Sequence, residues 1–288
     1  MTVHKSDVKA VVMSLRWVLF WIGLALVFNG FIYYFYGHEK GVEFLAGYLI
    51  ELSLSIDNLF VFITVFTSFA LTEHAQHRVL RWGIIGAMIM RFFFIFFGIK
   101  LVHSFEWILY VFGAILIISG LRMYGKEKEA KDPHEKLVVR GLKKVMPMTE
   151  EFVGEKFFVK KNKILYATPL FAVLLIIESS DIIFAIDSVP AVFSVSTDLL
   201  IVYSSNIFAI LGLRQLYFIL LHLHEKFRYV KYGVATILIF TGCKMLGSIM
   251  NYHIDNLLSI AVIVGVLATS IIASIIVGYI REKKQLEQ

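Results

Sequence analysis

Eight stretches of roughly twenty or more residues are almost wholly apolar, and short polar segments separate them. They cover about 11–36, 42–69, 80–102, 104–124, 164–189, 199–221, 229–249 and 255–280. Each is long enough to cross a hydrocarbon core about 30 Å thick as an α-helix. The pattern predicts an all-α polytopic membrane protein of about eight transmembrane helices in a single membrane domain, 1–288. Composition agrees: the 288 residues are 58% hydrophobic and 17% charged, with mean hydropathy +0.76.

Charge then orients the spans. Lys and Arg gather in alternate connections: Lys5 and Lys9, Arg78 and Arg81, the 125–163 loop, Lys226 to Lys231, and Arg281 to Lys284. The intervening connections hold little more than Lys40. By the positive-inside rule both termini are expected to be cytoplasmic in a multi-pass protein of the plasma (inner) membrane. The net charge of +6 follows from these loops, so no nucleic-acid partner is expected. Two readings of the 125–163 loop stand. It is a solvated linker, or its EKLVVRGLKKVM piece lies on the membrane as a basic amphipathic helix. One cysteine, Cys243, excludes an internal disulfide or a cysteine metal cluster.

The chain also repeats itself. YVFGAILIISGLRMYG (Tyr110–Gly125) and YGVATILIFTGCKMLG (Tyr232–Gly247) share seven of sixteen residues at an offset of 122. The surroundings of Arg91 and Arg214 match at an offset of 123, and ELSLSIDN from Glu51 matches DIIFAIDS from Asp181 at 130. Two three-span units result, repeat one over 42–124 and repeat two over 164–249, with helices 11–36 and 255–280 flanking them. An odd number of spans per unit makes the two copies inverted, a transporter plan whose substrate site lies near the midplane where the copies meet.

Acidic residues stand at that junction. Glu51, Asp57 and Asn58 lie on the first helix of repeat one; Asp181, Asp187 and Ser188 lie at matching positions of repeat two, and Glu178 is additional. At about 100° per residue, Glu51, Ser55 and Asn58 share one helix face, as do Glu178, Asp181 and Ser188. Pro190 removes a backbone donor and is expected to break its helix just after Asp187. All these groups are hard oxygen donors, which suit Mg²⁺, Ca²⁺ or Mn²⁺ better than zinc or copper. Five acids in a poorly solvated site cannot all stay ionised without a cation, so metal binding is expected to release protons. The competing reading is structural, with acids paired to Arg91 or Arg214. Arg122 and Lys244, at span ends, are expected to snorkel toward water.

The stretches YLIELSLSIDNLFVF, IIESSDIIFAIDSVPAVF and SNIFAILGLRQLYF, with the YG…GCKML segment, resemble the TerC/Alx family of bacterial integral membrane proteins. The resemblance spans about residues 15–280. It implies a plasma-membrane protein that handles divalent metal, manganese foremost, and a link to tellurite resistance. It also implies a metal-site role for Glu51, Asp57, Asn58, Glu178, Asp181, Asp187 and Ser188. The expected function is divalent-cation efflux, with the ion as transported substrate and no prosthetic group. The expected partners are the metal ion and the bilayer. The alternatives are a metal-binding scaffold or regulator and an intramembrane carboxylate enzyme. No G-x-S-x-G, H-E-x-x-H or phosphate-loop motif supports the enzyme.

Overall fold

The computed structural model describes residues 5–105, 107–124, 133–223, 229–249, 252 and 254–286. Nine helices and one hairpin are described: α1 (Lys5–Tyr36), α2 (His38–Ser68), α3 (Glu73–Ser104), α4 (Ile108–Met123), α5 (Pro133–Val145), β1 (Phe158–Lys161), β2 (Ile164–Ala167), α6 (Pro169–Phe193), α7 (Leu199–Leu223), α8 (Val230–Ile249) and α9 (Asn256–Leu286). Among the described residues seven helices are long and apolar enough to cross a membrane. The chain is an all-α polytopic membrane protein. The eighth expected span is the shorter α4, whose 16 residues extend about 24 Å. The expected start at 104 is too early, because α3 continues through Ser104.

Local chemistry sets the boundaries. A single residue, Gly37 at φ 95°, separates α1 from α2, a conformation that side chains with a Cβ rarely adopt. Thr72 caps α3 by accepting the Ala75 N–H at 3.4 Å. Pro169 occupies the first turn of α6 after an extended Thr168, where its missing N–H has no helical partner to lose.

Two expectations for α6 are corrected. The span does not begin at 164, because Ile164–Ala167 pair antiparallel with Phe158–Lys161. Asn162 (φ 49°) and Lys163 (φ 65°) make the connecting two-residue turn in the left-handed region. Nor does the helix break after Asp187: α6 runs through Pro190 to Phe193. Pro190 lies in the last turn, where the loss of one hydrogen bond to the Ile186 carbonyl does not end the helix. The 125–163 loop is more than a linker, since α5 packs against α6 and buries Leu142 beside Ala167 and Ala172.

Helices α2 and α3 each pack against both α6 and α7, and α4 packs along α8. α1 covers α2 and α7, while α9 covers α2 and α8. Trp17, Phe20, Phe93, Phe97, Ile272 and Ile276 on α1, α3 and α9 point outward, as lipid-facing side chains do. Along α2, α3, α6 and α7 the buried apolar residues pass from one core cluster to a second. The changeover falls within the stretches that carry the buried polar residues.

Helices α4 and α8 meet at backbone distance. A Cβ on Gly242 would come within 2.8 Å of the Gly113 carbonyl oxygen, and one on Gly120 within 2.7 Å of the Ala235 carbonyl oxygen. The Tyr124 hydroxyl, at the end of α4, lies 2.6 Å from Thr236 Oγ1 near the start of α8. The two helices therefore run antiparallel.

Gly242→Ala is expected to destabilise the protein by about 1–3 kcal/mol, because the added methyl meets backbone that cannot rotate away. Gly23→Ala, with nothing within 4 Å of the new Cβ, is the control. Thermal unfolding in detergent should separate them; equal melting temperatures would show that α4 and α8 have room to part.

Candidate functional site

Among the described residues the most deeply buried cationic side chain is Arg91, on α3 and 3% exposed. Its Nη1 donates to Glu51 Oε1 on α2, to Asn206 Oδ1 on α7 at 2.6 Å and to Ser188 Oγ on α6 at 3.3 Å. One guanidinium thus joins four helices, two from each expected repeat. All three contacts are made by one terminal nitrogen, whose two N–H groups are shared among the three acceptors. Ser55, one turn along α2, donates to Glu51 Oε1 at 3.2 Å. Glu51 Oε2, Arg91 Nε and Asn206 Nδ2 are buried without a hydrogen-bond partner among the described residues.

The other candidates divide around this centre. Asp181 is buried and lies within electrostatic reach of Arg91 and Glu51. Glu178 packs against α3 at Gly86, where a Cβ would overlap its carboxylate at 2.0 Å. The absence of a side chain at Gly86 is what admits the acid between α3 and α6. Asp187 faces the other way and accepts a hydrogen bond from Ser119 on α4 at 2.7 Å. A cavity of about 270 Å³ opens beside it, lined on its polar side by Asn58, Ser119, Arg122, Asp187 and Ser188. Ser188 belongs to both groups, touching Arg91 and the cavity. Asp57 lies on α2, but its side chain and that of Arg214 fall outside the described residues.

The structure therefore brings Glu51, Asp181 and Ser188 together around Arg91, and Asn58, Asp187 and Ser188 around the cavity. Glu178 stands at the edge of the first group. Among the described residues no three His, Cys, Asp or Glu side chains converge on one point. The arrangement is two adjoining polar pockets instead of one ready cage. The expected snorkelling of Lys244 to water is corrected: it is 5% exposed and its ammonium donates to Asn256, the first residue of α9, at 2.7 Å. Arg122 is exposed and borders the cavity.

Two contributors were not singled out from sequence. Asn206 is an amide in an otherwise apolar helix, and that was its signal. Ser119 was visible as the repeat partner of Thr241, but nothing in sequence placed it against Asp187.

Comparison with known proteins fits this membrane architecture. The model of the family described as "Integral membrane protein TerC family" matches residues 36–285. An uncharacterised membrane protein of Myxococcus xanthus is 43% identical over 274 residues, covering 95% of this chain and 85% of the relative. A Salmonella typhi protein, named as a proposed membrane-bound redox modulator, Alx, is 44% identical over 276 residues, covering 93% and 85%. An uncharacterised membrane protein of Rickettsia bellii is 41% identical over 273 residues, covering 94% and 90%. No solved structure matches the chain. With the family model matching most of its length, and relatives this similar over nearly all of it, the chain belongs to the TerC family of integral membrane proteins.

Proposed function

We propose that this protein moves divalent metal cations, Mn²⁺ foremost, outward across the plasma membrane, with both of its termini in the cytoplasm, and that protons move in exchange. The observation that carries the reading is the polar junction of α2, α3, α6 and α7. There a buried carboxylate, Glu51, is held by a cationic side chain beside a cavity whose polar lining includes the oxygen donors Asn58, Ser119, Asp187 and Ser188. Charged groups this deep in a membrane domain are costly, and they mark ion pathways more often than they stabilise folds.

Arg91 acts in this reading as a resident counter-cation. It satisfies Glu51 while the site holds no cargo. A divalent ion in the cavity meets Asn58, Asp187 and Ser188. Because Ser188 also contacts Arg91, the ion is well placed to draw Glu51 away from the guanidinium. The inverted-repeat plan supplies two equivalent faces for alternating access. The contacts between α4 and α8 support that plan. Under the 122-residue offset Gly113 corresponds to Ala235 and Gly120 to Gly242. The observed approaches, Gly113 to Gly242 and Gly120 to Ala235, exchange under that correspondence, as a twofold relation requires. A redox role of the kind in the Alx relative's name would need chemistry beyond a thiol pair within this chain, since Cys243 is its single cysteine.

Three outcomes are expected of the purified protein, the first read as flux in proteoliposomes. Asp187→Asn abolishes Mn²⁺ flux while the folded protein reaches the membrane in normal amount, because this acid lines the cavity and makes no ion pair among the described residues, only the hydrogen bond from Ser119. Normal flux per molecule with little folded protein would instead make Asp187 structural.

Arg91→Leu leaves Glu51 without its partner and is expected to destabilise the fold by about 3–5 kcal/mol. Adding Glu51→Gln in the same chain recovers much of that loss, as denaturation in detergent would reveal. Additive losses would contradict a direct coupling between the pair.

The dissociation constant for Mn²⁺ rises as pH falls, because protons and metal compete for the same carboxylate oxygens. Loading then favours the near-neutral cytoplasmic side, and release favours a more acidic exterior. Calorimetric titration between about pH 8 and pH 5, where ordinary carboxylates stay ionised, tests this. A constant affinity across that range would leave uniport as the better reading.

A further inference from the structure

A second cavity lies away from the polar junction. It encloses about 520 Å³ at the N-terminal end of α3, lined by His74, His77, Arg78, Arg81, Trp82 and Glu155. The 32-residue α3 is about 48 Å long, well over the roughly 30 Å hydrocarbon thickness. Its first turns therefore project from the apolar layer, on the side rich in Lys and Arg. Five of the six lining residues recur at three- and four-residue spacing on one face of that helix.

Three features make this more than a set of basic residues that orient the chain. Arg78 lies over the ring of Phe157, 5.3 Å from its centroid, and Trp82 packs edge-on against the same ring at 6.5 Å. The hairpin region thus holds the guanidinium in place. Arg78 Nε is buried and lacks a hydrogen-bond partner among the described residues. The single acid of the lining, Glu155, stands 3.9 Å from Arg78 Nη1, too far for a close hydrogen bond. The cavity has the chemistry of an anion site in which Glu155 loosely fills the anion's place.

We propose that this cavity binds a phosphate group, held by Arg78 and Arg81 and flanked by His74 and Trp82. Planar guanidinium donors recognise phosphate oxygens in pairs. An aromatic belt residue beside basic groups at the level of the lipid headgroups suits an anionic phospholipid. A soluble phosphate offers the same oxygens, and direct measurement separates the two. The site is independent of the metal pathway, because none of its residues belongs to the polar junction.

Purified full-length protein in a zwitterionic detergent is titrated calorimetrically with short-chain phosphatidylglycerol, with short-chain phosphatidylcholine and with inorganic phosphate. Saturable binding of phosphatidylglycerol but not of the other two assigns the site to an anionic lipid headgroup. Saturable binding of inorganic phosphate, competing with the lipid, assigns it to a soluble anion. In either case Arg81→Gln weakens binding about tenfold, the loss expected for one charged hydrogen bond. Glu155→Gln tightens binding severalfold by removing the internal competitor. Both residues are exposed, so these variants are expected to fold even if Arg78→Gln, which also releases Phe157, does not. Absence of saturable binding to every probe overturns the proposal. So does binding that neither Arg81→Gln nor Glu155→Gln changes.

Discussion

The ion pair between Arg91 and Glu51 is the constraint around which the helices are arranged. Neither group can stay charged in the middle of a membrane domain without a partner at hydrogen-bond distance. Satisfying the guanidinium requires a carboxylate from α2, an amide from α7 and a hydroxyl from α6 to reach one point on α3. That requirement fixes the register of four helices at once. Apolar packing alone would allow them to slide, since lipid is as good a neighbour for leucine as another helix is. The two apolar clusters on either side of the junction keep water from reaching the pair along the bundle.

Small residues supply the space that the polar groups need. Gly86 on α3 admits the Glu178 carboxylate, and Gly113, Gly120 and Gly242 let α4 and α8 touch through backbone. The close contact of α4 and α8 matters to the site because Ser119, the hydroxyl that holds Asp187, stands on α4 immediately before Gly120. A wider spacing there would draw Ser119 away from Asp187 or open the cavity to lipid.

Much of this organisation was readable from the chain. Apolar runs of membrane length located the spans to within a few residues at most ends, because hydrophobicity and length determine a membrane helix more directly than propensity determines a soluble one. The face shared by Glu51, Ser55 and Asn58 emerged as a buried polar stripe, with Ser55 bonded to Glu51. Hydropathy failed where it is blind to conformation. Ile164–Ala167 is as apolar as the helix that follows, but the left-handed Asn162 and Lys163 commit it to a hairpin. A proline's effect depends on its distance from the helix end, and Pro190 lies in the last turn of α6. The partner of Lys244, Asn256, lies on another helix, and no single-helix pattern encodes that contact. The division of the acids into two pockets was hidden for the same reason: it depends on which neighbouring helix faces each residue.

That division bears on how an acidic site in a membrane can be both stable and responsive. A single cage of five carboxylates would be strained whenever it stood empty. Here Glu51 is paired with a tethered cation, and Asp187 accepts a hydrogen bond from the Ser119 hydroxyl, with Arg122 in electrostatic reach. Each acid thus has a protein partner, which under the proposed function a cargo ion would replace. A tethered guanidinium costs little entropy to bring back, because it never leaves the protein, so the empty state is restored without waiting for an ion from solution. The cargo must then outcompete Arg91, and a divalent ion has the charge to do so where a monovalent one of similar size does not. In the proposed mechanism selectivity for divalent cations therefore begins with the strength of the internal ion pair, before ligand geometry discriminates among metals.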